Sequence, residues 1–143
     1  MIDIQITKVG IVSCSGEGIP EGTLCRLACR KVLDELRPGE TVTICLPLFI
    51  AGGEEERTFA SRYPTITVDG CEKLCAAKAT EMLSGKLSKS ILIPEVLKKR
   101  GIAHPAKLRN FGPEEAPAVQ TVAEEIAKAV DEVLEEGEVH RLP

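Results

Sequence analysis

The chain has 143 residues, a formal charge of −4 and a pI near 5.3, with 43% hydrophobic and 28% charged residues. That length supports one domain with its own core, and an acidic chain with no basic tract argues against nucleic acid as a partner. No apolar run approaches the roughly 20 residues a membrane span needs, and the first residues lack the order of a secretory signal, so the expected setting is the cytoplasm with no membrane partner.

With no Trp, one Tyr and three Phe, the core must be built mainly of Val, Ile, Leu and Ala. The six cysteines need a separate account. In a small secreted chain they would read as disulfides; in a reducing compartment thiols or metal ligands fit better.

Ile4 to Val12 ends in the apolar Val9-Gly10-Ile11-Val12 and predicts a buried parallel strand. Ser13 to Gly22 is a glycine-rich turn holding Cys14, and Pro20 suits the first turn of a helix. Leu24, Ala28, Val32 and Leu36, with Cys25, Cys29 and Leu33 beside them, form a helical apolar stripe that Arg37-Pro38-Gly39 ends. Thr41 to Leu46 predicts a second strand with Cys45 near its end, and Glu54 to Tyr63 a short helix after the Ala51-Gly52-Gly53 turn.

Thr65 to Val68 predicts the third strand. Asp69-Gly70 then turns the chain, with Gly70 able to tolerate a positive φ, into a helix running from Cys71 to about Leu83 and closed by Ser84-Gly85. Ser90 to Ile93 predicts a fourth strand, and Pro94 to Lys99 a helix that Gly101 interrupts. Ala103 to Pro117 reads as loop. From about Glu115 to Glu136, Val119, Val122, Ile126, Val130, Val133 and Leu134 share one helix face, and Gly137 to Pro143 reads as a polar tail.

Strands alternating with helices predict a single cysteine-rich α/β domain over residues 1–143. It is a mostly parallel sheet of about four strands with helices on both faces, a three-layer, Rossmann- or flavodoxin-like arrangement. Ligands of such sheets bind beyond the carboxyl ends of the strands. Cys14 follows the first strand, Cys45 ends the second and Cys71 follows the third, so all three fall at that edge, joined by Cys75 four residues on.

Four thiolates of this kind could hold zinc tetrahedrally; the alternative is that cysteine serves as a small buried hydrophobe. In the first turn of a helix Cys71 would have its thiolate favoured by the dipole, with Cys75 one turn along the same face. Cys25 and Cys29 are additional thiols: Cys29 is expected at the helix–sheet interface, while Cys25 could reach the cluster. The surplus leaves room for an iron–sulfur cluster or a redox pair. The loop from Cys14 through Gly16 to Gly18 has no arginine to clamp a phosphate, and Glu17 would repel one, so a tight turn is expected there. Asp69 before Gly70 suits a helix cap. His104 and His140 read as solvated, with His104 able to approach the site.

Val9 to Gly16, then Cys45, then Val68-Asp69-Gly70-Cys71 with Cys75, resembles the DGC-domain family, named for its Asp-Gly-Cys motif and carrying four characteristic cysteines thought to bind zinc. The resemblance runs over roughly residues 8–95. It implies Cys14, Cys45, Cys71 and Cys75 as metal ligands, with Asp69 and Gly70 completing the motif and Gly16 supporting it. It implies no reaction.

The expected function is therefore to hold a metal ion, zinc first, in an accessory, sensing or delivery role. The alternative is an iron–sulfur or thiol/persulfide redox protein using Cys71 or Cys14, as part of a larger redox or methyl-transfer assembly. A protein partner or a homo-oligomer is compatible with either.

Overall fold

The computed structural model describes residues 7–141. Four strands, β1 (Val9–Ser13), β2 (Thr41–Thr43), β3 (Thr65–Asp69) and β4 (Lys89–Leu92), form one parallel sheet in the order β2-β1-β3-β4. The expected α/β class with an all-parallel sheet is what the chain adopts. Residues Ile4 to Ile6 of the expected first strand lie outside the described residues.

The central strands are apolar because both of their faces are covered. Val9, Gly10, Ile11 and Val12 are buried, as is every residue of β3. Gly10 pairs with Thr65, and a Cβ on Gly10 would meet the Phe59 ring at 2.6 Å. That ring belongs to α4 (Phe59–Arg62), so Gly10 and Thr65 face the short helices α2 (Leu48–Ala51), α3 (Glu54–Arg57) and α4. By the alternation of strands, Thr67 and Asp69 share this face, and α5 (Cys75–Leu83) packs on it.

The opposite face carries Val9, Ile11, Ile66 and Val68, covered by α1 (Pro20–Lys31) and α7 (Ala116–Arg141), with α6 (Ile93–Arg100) against α7. Leu24, Ala28, Val122, Ile126 and Val130 are completely buried there. Each such Leu, Ile or Val side chain contributes about 1.5–3 kcal/mol of transfer free energy, so aliphatic packing compensates for the scarcity of aromatics.

Several boundaries differ from the sequence expectation. The helix after β3 starts at Cys75, not Cys71, because Cys71 to Leu74 form a turn and Leu74 takes a left-handed conformation with φ 55°. Strand β2 stops at Thr43, before Cys45. A separate helical turn, α2, precedes Gly52. The long final helix continues through Gly137 to Arg141, over much of the expected tail; a single glycine costs a helix only about 1 kcal/mol. After α1 the helix widens to a π pattern over Val32–Leu36, and Arg37 beyond it makes a two-point ion pair with Asp131 of α7 at 2.8 and 2.7 Å.

The loop before α1 folds tightly against the helix that follows. A Cβ on Gly22 would lie 2.0 Å from the Gly16 carbonyl oxygen, and Gly16 itself has φ +29°. Gly22→Ala is expected to cost about 3 kcal/mol, at the upper end of overpacking, and to lower Tm by roughly 10 °C for a chain of this size. Thermal unfolding followed by circular dichroism measures it, and an unchanged Tm would show that the loop can give way.

Candidate functional site

The strand order reverses between β1 and β3: the chain leaves β1 for β2 on one side and returns to β3 on the other. In open parallel sheets this switch point leaves a crevice beyond the strand ends, where ligands bind. Ser13 pairs with Val68 at the last register of these two strands, so the next residues of each, Cys14 and Asp69-Gly70-Cys71, emerge side by side.

Cys14 is held from three directions. Its backbone N–H donates to the Val68 carbonyl at 2.9 Å, its sulfur accepts from the Gly70 N–H at 3.3 Å, and a Cβ on Gly16 would lie 3.2 Å from that sulfur. Gly70 is required by crowding rather than by its dihedral angle. It is not among the positive-φ residues, so the freedom glycine offers there is not used; a Cβ would instead meet the Glu21 carbonyl carbon and the Gly22 nitrogen, each at 2.9 Å. The first turn of α1 lies directly on the Asp-Gly-Cys turn.

Asp69 is 1% exposed. Its two carboxylate oxygens accept from the N–H groups of Ala76 at 2.7 Å and Ala77 at 3.1 Å. It thus caps α5 from a distance, because the residue at the N-cap, Leu74, has no side-chain oxygen to offer. Burial pushes the carboxyl above its ordinary range, and the two N–H donors offset part of that rise. The cap also fixes where Cys71 and Cys75 stand. Cys71 lies in the turn, half-buried, and Cys75 opens the helix, exposed. The two are therefore not a pair on one helix face.

Cys45 is exposed and lies two residues past β2. It shares with Cys14 a cleft of about 300 Å³, between the ends of β1 and β2, that Cys29, Arg26 and Arg30 also line. Cys25 is fully buried behind Cys14: its sulfur lies 3.4 Å from the Ser13 hydroxyl and donates to the Val68 carbonyl at 3.1 Å. The Cys14 thiol is pushed well above the usual range by its hydrogen bond to the Cys25 thiol and by burial, against the Gly70 N–H. The Cys25 thiol is lowered by the bond from Cys14, but the bond to Cys29 and burial outweigh this and push it up.

The structure thus sorts the six cysteines into a buried set, Cys14, Cys25 and Cys29, and a set at least partly exposed, Cys45, Cys71 and Cys75. Among the described residues no three of His, Cys, Asp and Glu converge in a ready-made metal cage. The donor chemistry nonetheless suits a thiophilic ion, since soft thiolates at the sheet's carboxyl edge are zinc's usual protein ligands. His104 reaches Glu21 on α1 at 3.1 Å and touches the site only through that residue. Of His140 only the helix backbone is described.

One functional feature escaped the sequence reading. Arg26 comes back from α1 to the Cys14 loop, donating to the Ser15 carbonyl at 2.6 Å and pairing with Glu17 at 3.4 Å. The loop itself lacks an arginine, but the helix supplies one. Its sequence signal is the repeated dipeptide Cys25-Arg26 and Cys29-Arg30, four residues apart, which sets one thiol and one guanidinium on successive turns.

A family model described as the DGC domain matches residues 10–133. The chain belongs to the DGC domain family. In this DGC domain the match extends past the expected 8–95 core and takes in most of the final helix. No curated protein and no solved structure matches the chain.

Removing the distant cap should loosen the DGC turn. Asp69→Ala is expected to destabilise the domain by about 2 kcal/mol, since two buried N–H groups lose a charged acceptor, and Asp69→Asn, which keeps one acceptor oxygen, by less. Urea unfolding measures both, and equal stability of Asp69→Ala and the parent would refute the capping role.

Proposed function

We propose that this protein binds a metal ion, zinc foremost, through cysteine thiolates at the carboxyl edge of its sheet. Cys14, Cys45, Cys71 and Cys75 are the ligands in this reading, and the role is accessory: sensing, storing or delivering the ion. The observation that carries it is the Gly70 N–H aimed at the Cys14 sulfur at the switch point of the sheet, a contact that joins the Asp-Gly-Cys turn to a cysteine 56 residues away in the chain. Membership of the DGC family supports the same class of ligand.

Chemistry supports it as well. Neutral thiols do not bind zinc; the ion displaces their protons, and the Gly70 N–H would remain as a donor to the resulting thiolate. Cys71 and Cys75 stand on a turn and a helix start, and Cys45 in a loop, so holding one ion together with Cys14 requires these three side chains to move towards it. Binding would then be accompanied by proton release and by tightening of the turn between Cys71 and Leu74.

Metal analysis of the anaerobically purified full chain is the test. About one zinc per chain is expected, without iron or acid-labile sulfide. Cys14→Ser and Cys71→Ser should each lower the zinc content by an order of magnitude or more, while Cys29→Ser leaves it near the parent level. Iron with matching sulfide would replace zinc by a cluster, and equal loss from Cys29→Ser would overturn the ligand set.

A further inference from the structure

Between α6 and α7 the chain crosses the start of α1. Gly101 ends α6 at φ +66°, and Ile102 then packs against the core, as Phe111 does at the far end of the crossing. The residues between them, Ala103 to Asn110, are largely exposed and form no helix or strand. Asn110 turns the chain back at φ 56°, a left-handed conformation that asparagine accepts more readily than most residues. Among the described residues this segment makes no backbone–backbone hydrogen bond.

Side chains hold it instead. His104 Nδ1 lies 3.1 Å from Glu21 Oε1, the Thr23 hydroxyl donates to the Leu108 carbonyl at 2.7 Å, and Arg109 Nη2 donates to the Glu17 carbonyl at 3.2 Å. Glu21 and the buried Thr23 stand in the first turn of α1, and Glu17 in the loop that carries Cys14. That first turn touches both sides of the switch point. Gly22 lies against Gly16 of the Cys14 loop, and Glu21 lies against Gly70 of the Asp-Gly-Cys turn.

We infer that residues 103–110 are a strap that clamps the first turn of α1 onto the Cys14 loop and the Asp-Gly-Cys turn, and that its release loosens both together. The consequence for a bound ion rests on the metal reading above. Cys14 is the fixed member of that ligand set, and the other three thiols come to it. With the strap in place the Cys14 loop and the turn bearing Cys71 share one wall; with the strap off that wall gives way and the ion is released faster. The contacts suit a reversible clasp. Exposed side-chain pairs are individually weak, and a segment with few buried groups opens locally while the rest of the domain stays folded. Ile102 and Phe111 keep its two ends in place.

Hydrogen–deuterium exchange of the metal-free full chain decides the clamp. The double variant His104→Ala/Arg109→Ala removes two tethers at exposed positions. It is expected to speed exchange about tenfold in residues 15–23 and 70–74 as well as in the strap, with β1 and β3 protected as in the parent. Thr23→Val, which removes the third tether, should give the same pattern. A rise confined to residues 103–110 would overturn the clamp, and so would a uniform rise that includes the strands, since that is plain loss of stability. In the zinc-loaded double variant, release to a chelator should be about tenfold faster than in the parent, and an unchanged rate would overturn the strap's hold on the ion. A parent chain that takes up no zinc would sink the metal reading and this consequence of it, while the exchange pattern, which needs no metal, still decides the clamp.

Discussion

Three backbone segments meet around the Cys14 sulfur: the end of β1, the Asp-Gly-Cys turn after β3, and the first turn of α1. Their separation is set by glycines, because Gly16 and Gly22 touch backbone to backbone, and Gly70 lies against Glu21 and Gly22 at distances no side chain would permit. Parallel strands alone would bring β1 and β3 together, but not their loops. The loops meet because the N–H of Gly70 has a sulfur to bond to and because no Cβ stands in the way. Asp69 works outward from the same turn, using its carboxylate to hold α5 and so to place Cys75. A single residue triplet therefore locks one strand end, caps one helix and carries one thiol.

Burial divides the cysteines by the kind of chemistry open to them. Exposed thiols on loops can move to a ligand at little cost, whereas the line of Cys14, Cys25 and Cys29 is fixed by strand and helix packing. Cys14 is buried, yet it stands at the edge where the exposed thiols lie. A metal ion that takes the Cys14 thiolate would draw on a sulfur that the Gly70 N–H and the packing of the buried set already hold in place.

Much of this was legible in the sequence. The four strands, the order of their cysteines and the apolar face of α7 follow from period and punctuation alone, because the core is aliphatic and the strands are short and β-branched. The start of α5 was not legible: Glu72, Lys73 and Leu74 read as helix formers, and it is the tertiary contact of Asp69 with Ala76 and Ala77 that moves the cap past them. The reason for Gly70 was not legible either. A dihedral preference belongs to the residue itself, but the crowding that requires Gly70 comes from Glu21, nearly 50 residues earlier. Arg26 at the Cys14 loop and the Cys25 thiol on the Val68 carbonyl likewise depend on how α1 lies on the sheet. Spacing along one chain does not encode that.

X-ray absorption at the zinc edge of the zinc-loaded chain addresses the central claim most directly, since it reads the atoms bound to the metal rather than the amount of it. The account predicts a shell of sulfur scatterers at about 2.3 Å, reduced in number when Cys71 is replaced by serine. A shell of nitrogen and oxygen at about 2.0–2.1 Å, unchanged by that substitution, would contradict it.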